Sequence, residues 1–126
     1  MKNQVRNPVV HFEILGRDPS ALRKFYSEAF GWSIEKWEGP QDYWLVTTGE
    51  DGTVGINGAI QQTREAPSTV NTIDVDSLDE ALERVTAAGA TVTSPKTMIP
   101  GVGHAASCVD PTGVPFGLFQ DDPNAG

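Results

Sequence analysis

Two histidines are all that the 126 residues supply, and one of them, His11, stands two places before Glu13 in the strand-like run Val9-Val10-His11-Phe12-Glu13-Ile14-Leu15. Successive side chains of an extended chain point to opposite faces, so His11 and Glu13 share one. An imidazole beside a carboxylate is able to move a proton near neutral pH, which makes these two the candidate catalytic residues. A second run, Val70-Asn71-Thr72-Ile73-Asp74-Val75, sets Thr72 and Asp74 opposite Ile73 and Val75. Thr72 and Asp74 are candidate ligand-binding residues, together with Trp44, an aromatic surface for a flat ligand, and His104. Were His104 to meet His11 and Glu13, a His-Glu-His set would suit zinc. The lone Cys108 has no His or acid beside it in the run from Ala105 to Val109, and it reads as a small core hydrophobe.

The elements that must position these residues follow one plan, stated twice. After the first run, Asp18 offers an N-cap, Pro19 fits the first helical position, and Gly31 ends a helix whose apolar stripe is Leu22, Phe25, Tyr26, Ala29 and Phe30. After the second run, Ser77-Leu78-Asp79-Glu80 is a capping box and Gly89 a stop, with Leu78, Ala81, Leu82, Val85 and Ala88 apolar between them. Each helix precedes three short strand-like runs, the first set ending near Ile60 and the second at Phe119. Gly49-Glu50-Asp51-Gly52 and Asp110-Pro111-Thr112-Gly113 supply the matching turns.

The chain therefore reads as an α+β protein of two tandem βαβββ modules, module one about 7–60 and module two about 69–121, joined by a polar linker over 61–68. Both modules belong to one domain spanning 1–126. Phe12 and Ile14 should receive the first helix. The polar faces then look away from the helices, as in curled mixed sheets that form a cleft. Ile99-Pro100-Gly101-Val102-Gly103 is expected to be a mobile loop over that cleft, and Asp121–Gly126 a loosely ordered tail.

Composition excludes several partners. Nine Lys and Arg against seventeen Asp and Glu give a net charge of −8 without a basic stripe, which argues against nucleic acid and anionic membranes. One cysteine rules out an intrachain disulfide framework. Met1–Pro8 has no apolar core of a secretion signal and no run reaches membrane-spanning length, so a cytoplasmic location is expected.

Three patterns taken together carry a resemblance. His11 stands seven residues before Asp18; Phe25-Tyr26 precedes Phe30-Gly31-Trp32; and Asp110-Pro111-Thr112-Gly113 precedes the last strand. In this order they resemble the vicinal oxygen chelate superfamily, which includes glyoxalase I, bleomycin-resistance proteins and extradiol dioxygenases. Tyr43-Trp44-Leu45-Val46-Thr47-Thr48-Gly49 and Gly55-Ile56-Asn57-Gly58 resemble a bacterial glyoxalase-related group.

The resemblance implies a divalent metal held by four side chains, one from the first and one from the last strand of each module. His11 falls on the first position; the others fall near Ile56, on Val70 and on Gly117, none of which offers a ligand. The expectation is a homodimeric protein binding a small molecule in its cleft, with no cofactor and without the four-ligand metal. The alternative is a lyase- or isomerase-type enzyme using His11 and Glu13, with or without a nonstandard zinc or nickel ion.

Overall fold

The computed structural model describes residues 6–39 and 41–126. The first five residues of the Met1–Pro8 segment read for a secretion signal lie outside the described residues. Among the described residues the elements follow in the order β1 (Val9–Gly16), α1 (Pro19–Phe30), β2 (Ser33–Lys36), β3 (Tyr43–Thr47), β4 (Gly58–Gln62), β5 (Ser68–Asp74), α2 (Leu78–Ala87), β6 (Thr91–Ile99), β7 (Gly103–Val109) and β8 (Pro115–Asp121). The α+β plan of two βαβββ modules holds. The chain divides into two compact units, Val10–Val70 in one and Asn71–Gly126 with the segment through Val9 in the other. The linker is shorter than expected: Gln61 and Gln62 complete β4, and Ser68 already belongs to β5.

Local chemistry starts and stops both helices. The Asp18 side chain accepts a hydrogen bond from the backbone N–H of Ala21, satisfying a donor that the first turn leaves free, and Gly31 closes α1 in the left-handed region at φ 73°. Ser77 does the same for α2 by accepting from Glu80 N–H. At the second end Ala88 is the cap, and Gly89 follows it with φ 107°.

In the first module β1 runs parallel to β4, β4 antiparallel to β3, and β3 antiparallel to β2. The parallel pair needs a crossover, which α1 begins. Phe12 pairs with Gly58 and Ile14 with Ile60, while Ile60 faces Trp44 and Val46 faces Gly58. That side of the sheet carries the core of Ile14, Val46 and Ile60, with Phe12, Leu22, Tyr26, Trp32, Ile34 and Trp44 packed on it. Gly58 is required here, because a Cβ at that position would overlap the Phe12 carbonyl oxygen and ring. The apolar stripe of α1 is only half used. Leu22 and Tyr26 pack on the sheet, Tyr26 stacking on Trp32 at 4.9 Å and 7°, whereas Phe25 and Phe30 stay 56% and 62% exposed.

The second module repeats this arrangement: β5 is parallel to β8, β8 antiparallel to β7, and β7 antiparallel to β6. Val75, Leu78, Ala81, Ala106, Cys108 and Leu118 form its core, with Ile73, Leu82, Val85 and Phe116 against them. Cys108 is thus the buried hydrophobe its setting in the sequence suggests, and burial pushes its thiol pKa up. The turn at Asp110 is held by its carboxylate, which accepts from Thr112 N–H, the Thr112 hydroxyl and Val114 N–H.

Two expectations are corrected. The glycine-rich segment after Ile99 is a tight turn between β6 and β7, closed by Val102 N–H on the Ile99 carbonyl, instead of an open loop. The tail is tied to it: Gly101 N–H donates to the Ala125 carbonyl, and Asp122 N–H to Val102. Paired backbone donors and acceptors thus fix a polar segment that has little apolar surface to bury.

Candidate functional site

Strand register decides which side chains meet. In β1 the residues that alternate with Phe12 and Ile14 are His11 and Glu13, and they lie on the sheet face away from the α1 core, as the sequence pattern predicts. Glu13 stands opposite Ala59, which stands opposite Leu45; two residues along β3, Tyr43 stands opposite Gln61. Tyr43 therefore shares the face of His11 and Glu13, and its hydroxyl reaches both.

The Tyr43 hydroxyl donates to Glu13 Oε2 at 2.9 Å and lies 3.2 Å from His11 Nε2. His11 Nε2 and Glu13 Oε2 are 3.9 Å apart, so the phenol oxygen bridges them. The His11 and Glu13 side chains are 30% and 26% exposed, shielded yet reachable. Burial lowers the His11 pKa below 6.5, and the Glu13 charge only partly offsets this, which favours the neutral imidazole. Burial first, then the charge and hydrogen bond of Glu13, push the Tyr43 pKa far up, so the phenol keeps its proton. The constellation is a neutral imidazole, a neutral phenol and a carboxylate. Trp37 borders it, edge-on to the Tyr43 ring at 5.9 Å and 72°, with its backbone N–H on the Tyr43 carbonyl.

The other candidates are placed by the register of their own strands. Trp44 packs in the α1 core, on the opposite face of the sheet from His11, because Tyr43 and Trp44 are neighbours on one strand. Thr72 and Asp74 do share the face opposite Ile73 and Val75 in the second module, with Thr72 beside Gly117 and Asp74 beside Phe119. His104 does not share that face. It alternates with Ala105 and lies on the side of Ala106, Cys108 and Leu118, opposite Gln120, whose side chain accepts the N–H of Leu78 at the start of α2. There His104 Nε2 meets Asp122 Oδ2 at 3.1 Å. Each module thus holds a histidine–carboxylate pair of its own, His11 with Glu13 in the first and His104 with Asp122 in the second. Tyr43 is the member that reading β1 alone missed. Its signal was the aromatic run 43–44, whose face no alternation of polar and apolar residues revealed.

The ligand positions implied by the resemblance test whether a divalent metal fits. Ile56 lies in the loop before β4, where its carbonyl accepts from the Thr48 hydroxyl. The register moves the second position: Glu13 faces Ala59 as Thr72 faces Gly117, so the counterpart of Gly117 is Ala59. A methyl, the Val70 isopropyl group and a glycine supply no ligand atom. At Gly117 a Cβ would come within 3.2 Å of Thr72 Oγ1, which leaves little room for one. Among the described residues no three His, Cys, Asp or Glu gather as a metal-holding group. These side chains do not fit the four-ligand ion.

A family model described as a glyoxalase-like domain matches residues 11–119. The chain belongs to the glyoxalase-like family. The matched span begins at His11 itself and takes in both modules. "Putative glyoxylase CFP32" of Mycobacterium bovis and of Mycobacterium tuberculosis are each 31% identical over 114 residues, covering 86% of this chain and 44% of theirs. The chain thus spans less than half the length of the curated relatives it matches. Methylmalonyl-CoA epimerase from Mycobacterium tuberculosis shares the fold with a TM-score of 0.69 at 14% identity, over 90% of this chain and 87% of that one. So does the Mn(II)-bound glyoxalase from Novosphingobium aromaticivorans, at 0.63 and 21%, over 93% and 38%. Homoprotocatechuate 2,3-dioxygenase from Brevibacterium fuscum matches at 0.66 and 16%, over 93% and 37%. These three solved structures belong to the vicinal oxygen chelate superfamily. At these identities the solved structures speak for the glyoxalase-like fold; function must be argued from the site. Among the described residues no helix is long and apolar enough to cross a membrane.

Proposed function

We propose that this glyoxalase-like domain binds a small molecule at the face carrying His11, Tyr43 and Glu13, without the four-ligand divalent metal. The observation that carries the reading is the Tyr43 hydroxyl. It occupies His11 Nε2 at 3.2 Å and is itself held by Glu13 at 2.9 Å, so the imidazole nitrogen and the nearest carboxylate are partnered with each other's bridge. A half-buried polar cluster beside an indole is a binding surface of the usual kind, a few convergent polar groups next to an aromatic wall. Metal analysis of the purified protein tests it. Substoichiometric metal is expected, and dialysis against a chelator should leave the melting temperature unchanged. Tightly bound stoichiometric zinc, nickel or manganese would overturn the reading. Mass spectrometry under native conditions should then reveal any ligand that copurifies.

A second reading is favoured by the same geometry: proton transfer in a lyase- or isomerase-type reaction. A neutral His11 backed through Tyr43 by the Glu13 carboxylate is a candidate base, the carboxylate offsetting part of what burial costs its protonated form. The protein then acts as a metal-free enzyme, not a sequestering protein of the bleomycin-resistance type. Homodimerisation in the cytoplasm belongs to the same proposal. A second copy would give the exposed Phe25 and Phe30 rings a cover. Light scattering should report about twice the 13.5 kDa chain mass; a monomer would remove the dimer.

A further inference from the structure

We propose that Tyr43 holds His11 in the tautomer protonated at Nε2, and that the open Nδ1 receives a neutral, flat ligand through an N–H or O–H which the ligand donates. This rests on the metal-free reading above and names the ligand chemistry of the same site.

The argument follows the protons. A neutral imidazole carries one N–H and one lone pair, and the partner of either nitrogen selects which is which. The single proton of the Tyr43 hydroxyl is given to Glu13 Oε2. The phenol oxygen then has only lone pairs to offer His11. At 3.2 Å two facing lone pairs would repel, so the hydrogen between His11 Nε2 and Tyr43 must come from the imidazole. Nε2 is the donor, and Nδ1 is left as an acceptor.

That acceptor is available. His11 makes no hydrogen bond through Nδ1 to any described residue, and Nδ1 is not among the buried polar atoms that lack a partner, so it keeps access to solvent. A ligand can satisfy it only by donating. The charge already at the site is the Glu13 carboxylate, which disfavours an anion brought alongside. The flat element is Trp37. Following Lys36, which pairs with Trp44, Trp37 falls on the Tyr43 side of the sheet. Its backbone N–H to the Tyr43 carbonyl and the edge contact between the rings hold the indole in place. Gly39 leaves space for that indole, since a Cβ there would overlap the ring. A planar group entering beside the indole could stack on it while donating to His11.

Long-range nitrogen–proton correlation spectra of the imidazoles, at a mildly alkaline pH and with His11 assigned by the signal lost in His11→Gln, read the tautomer directly. The expected pattern is protonated Nε2 and bare Nδ1 in the native protein, with a mixture or a shift to the other tautomer in Tyr43→Phe. A native Nδ1–H tautomer, or a pattern unchanged by Tyr43→Phe, would overturn the inference. Benzamide and benzoate then test the ligand class, being alike in shape and differing in charge and in the N–H. Saturable benzamide binding seen at the His11 and Trp37 side chains is expected, with benzoate weaker by about tenfold, the worth of one good hydrogen bond. Equal benzoate binding, or no saturable benzamide binding, would sink the ligand assignment. Because the spectra need neither ligand nor metal, a wrong tautomer leaves the metal-free reading standing. Stoichiometric metal in the purified protein strikes that reading instead.

Discussion

Removing one oxygen atom tests the site most directly. Tyr43→Phe keeps the ring, its contact with Trp37 and the strand pairing of β3, and deletes only the hydroxyl that bridges His11 and Glu13. A hydrogen bond to a charged acceptor contributes about 1.5–3 kcal/mol net and a neutral one about 0.5–1.5 kcal/mol. With Glu13 26% and His11 30% exposed, water can reach both groups once the hydroxyl is gone. The lower part of the range then applies, a loss of about 1.5–2 kcal/mol. Urea unfolding followed by tryptophan fluorescence should show this as a midpoint lowered by about 1 M, since the slope for a small protein lies near 1–3 kcal/mol per M. Glu13→Gln completes a double-mutant cycle, in which the two changes should be non-additive by about 1 kcal/mol. If Tyr43→Phe alters stability by less than about 0.5 kcal/mol, the range of an unconnected surface change, the bridge does not exist in solution. Strict additivity with Glu13→Gln would refute it equally.

Three further outcomes are expected. Phe12→Ala should cost about 2–4 kcal/mol, the low side of a large-to-small core change because Phe12 is only partly buried, while His11→Ala should be milder; denaturant unfolding that shows the reverse would mean the faces of β1 are misassigned. The lowered His11 pKa means that the folded state resists protonation. Stability should be full above pH 6.5 and decline as pH falls through the lowered folded value, and a thermal-unfolding series should show a shallower decline in His11→Gln. The Cys108 thiol, buried and with its pKa raised, should react with a thiol reagent only at the rate at which the second module opens, so immediate stoichiometric labelling of the native protein would contradict the core described for that module.

What could be read from residues alone was whatever depends on near neighbours in the chain. Asp18, Pro19 and Gly31 bound α1, and Ser77 opens α2, because caps act over three or four residues. Asp110 writes its own turn for the same reason. The faces of His11 and Glu13 were legible because Phe12 and Ile14 alternate with them, and polarity differs enough across a strand to say which side meets the helix. Where that contrast fades, the sequence falls silent. Tyr43-Trp44-Leu45-Val46 is apolar on both faces, and only pairing with β4 puts Tyr43 beside Glu13 and Trp44 in the core. His104-Ala105-Ala106 is as ambiguous, and pairing with β8 sends the imidazole to Gln120 and Asp122 rather than to the polar face. A hydrogen bond between residues thirty apart depends on register, and register is set by the whole sheet, not by the residues it brings together.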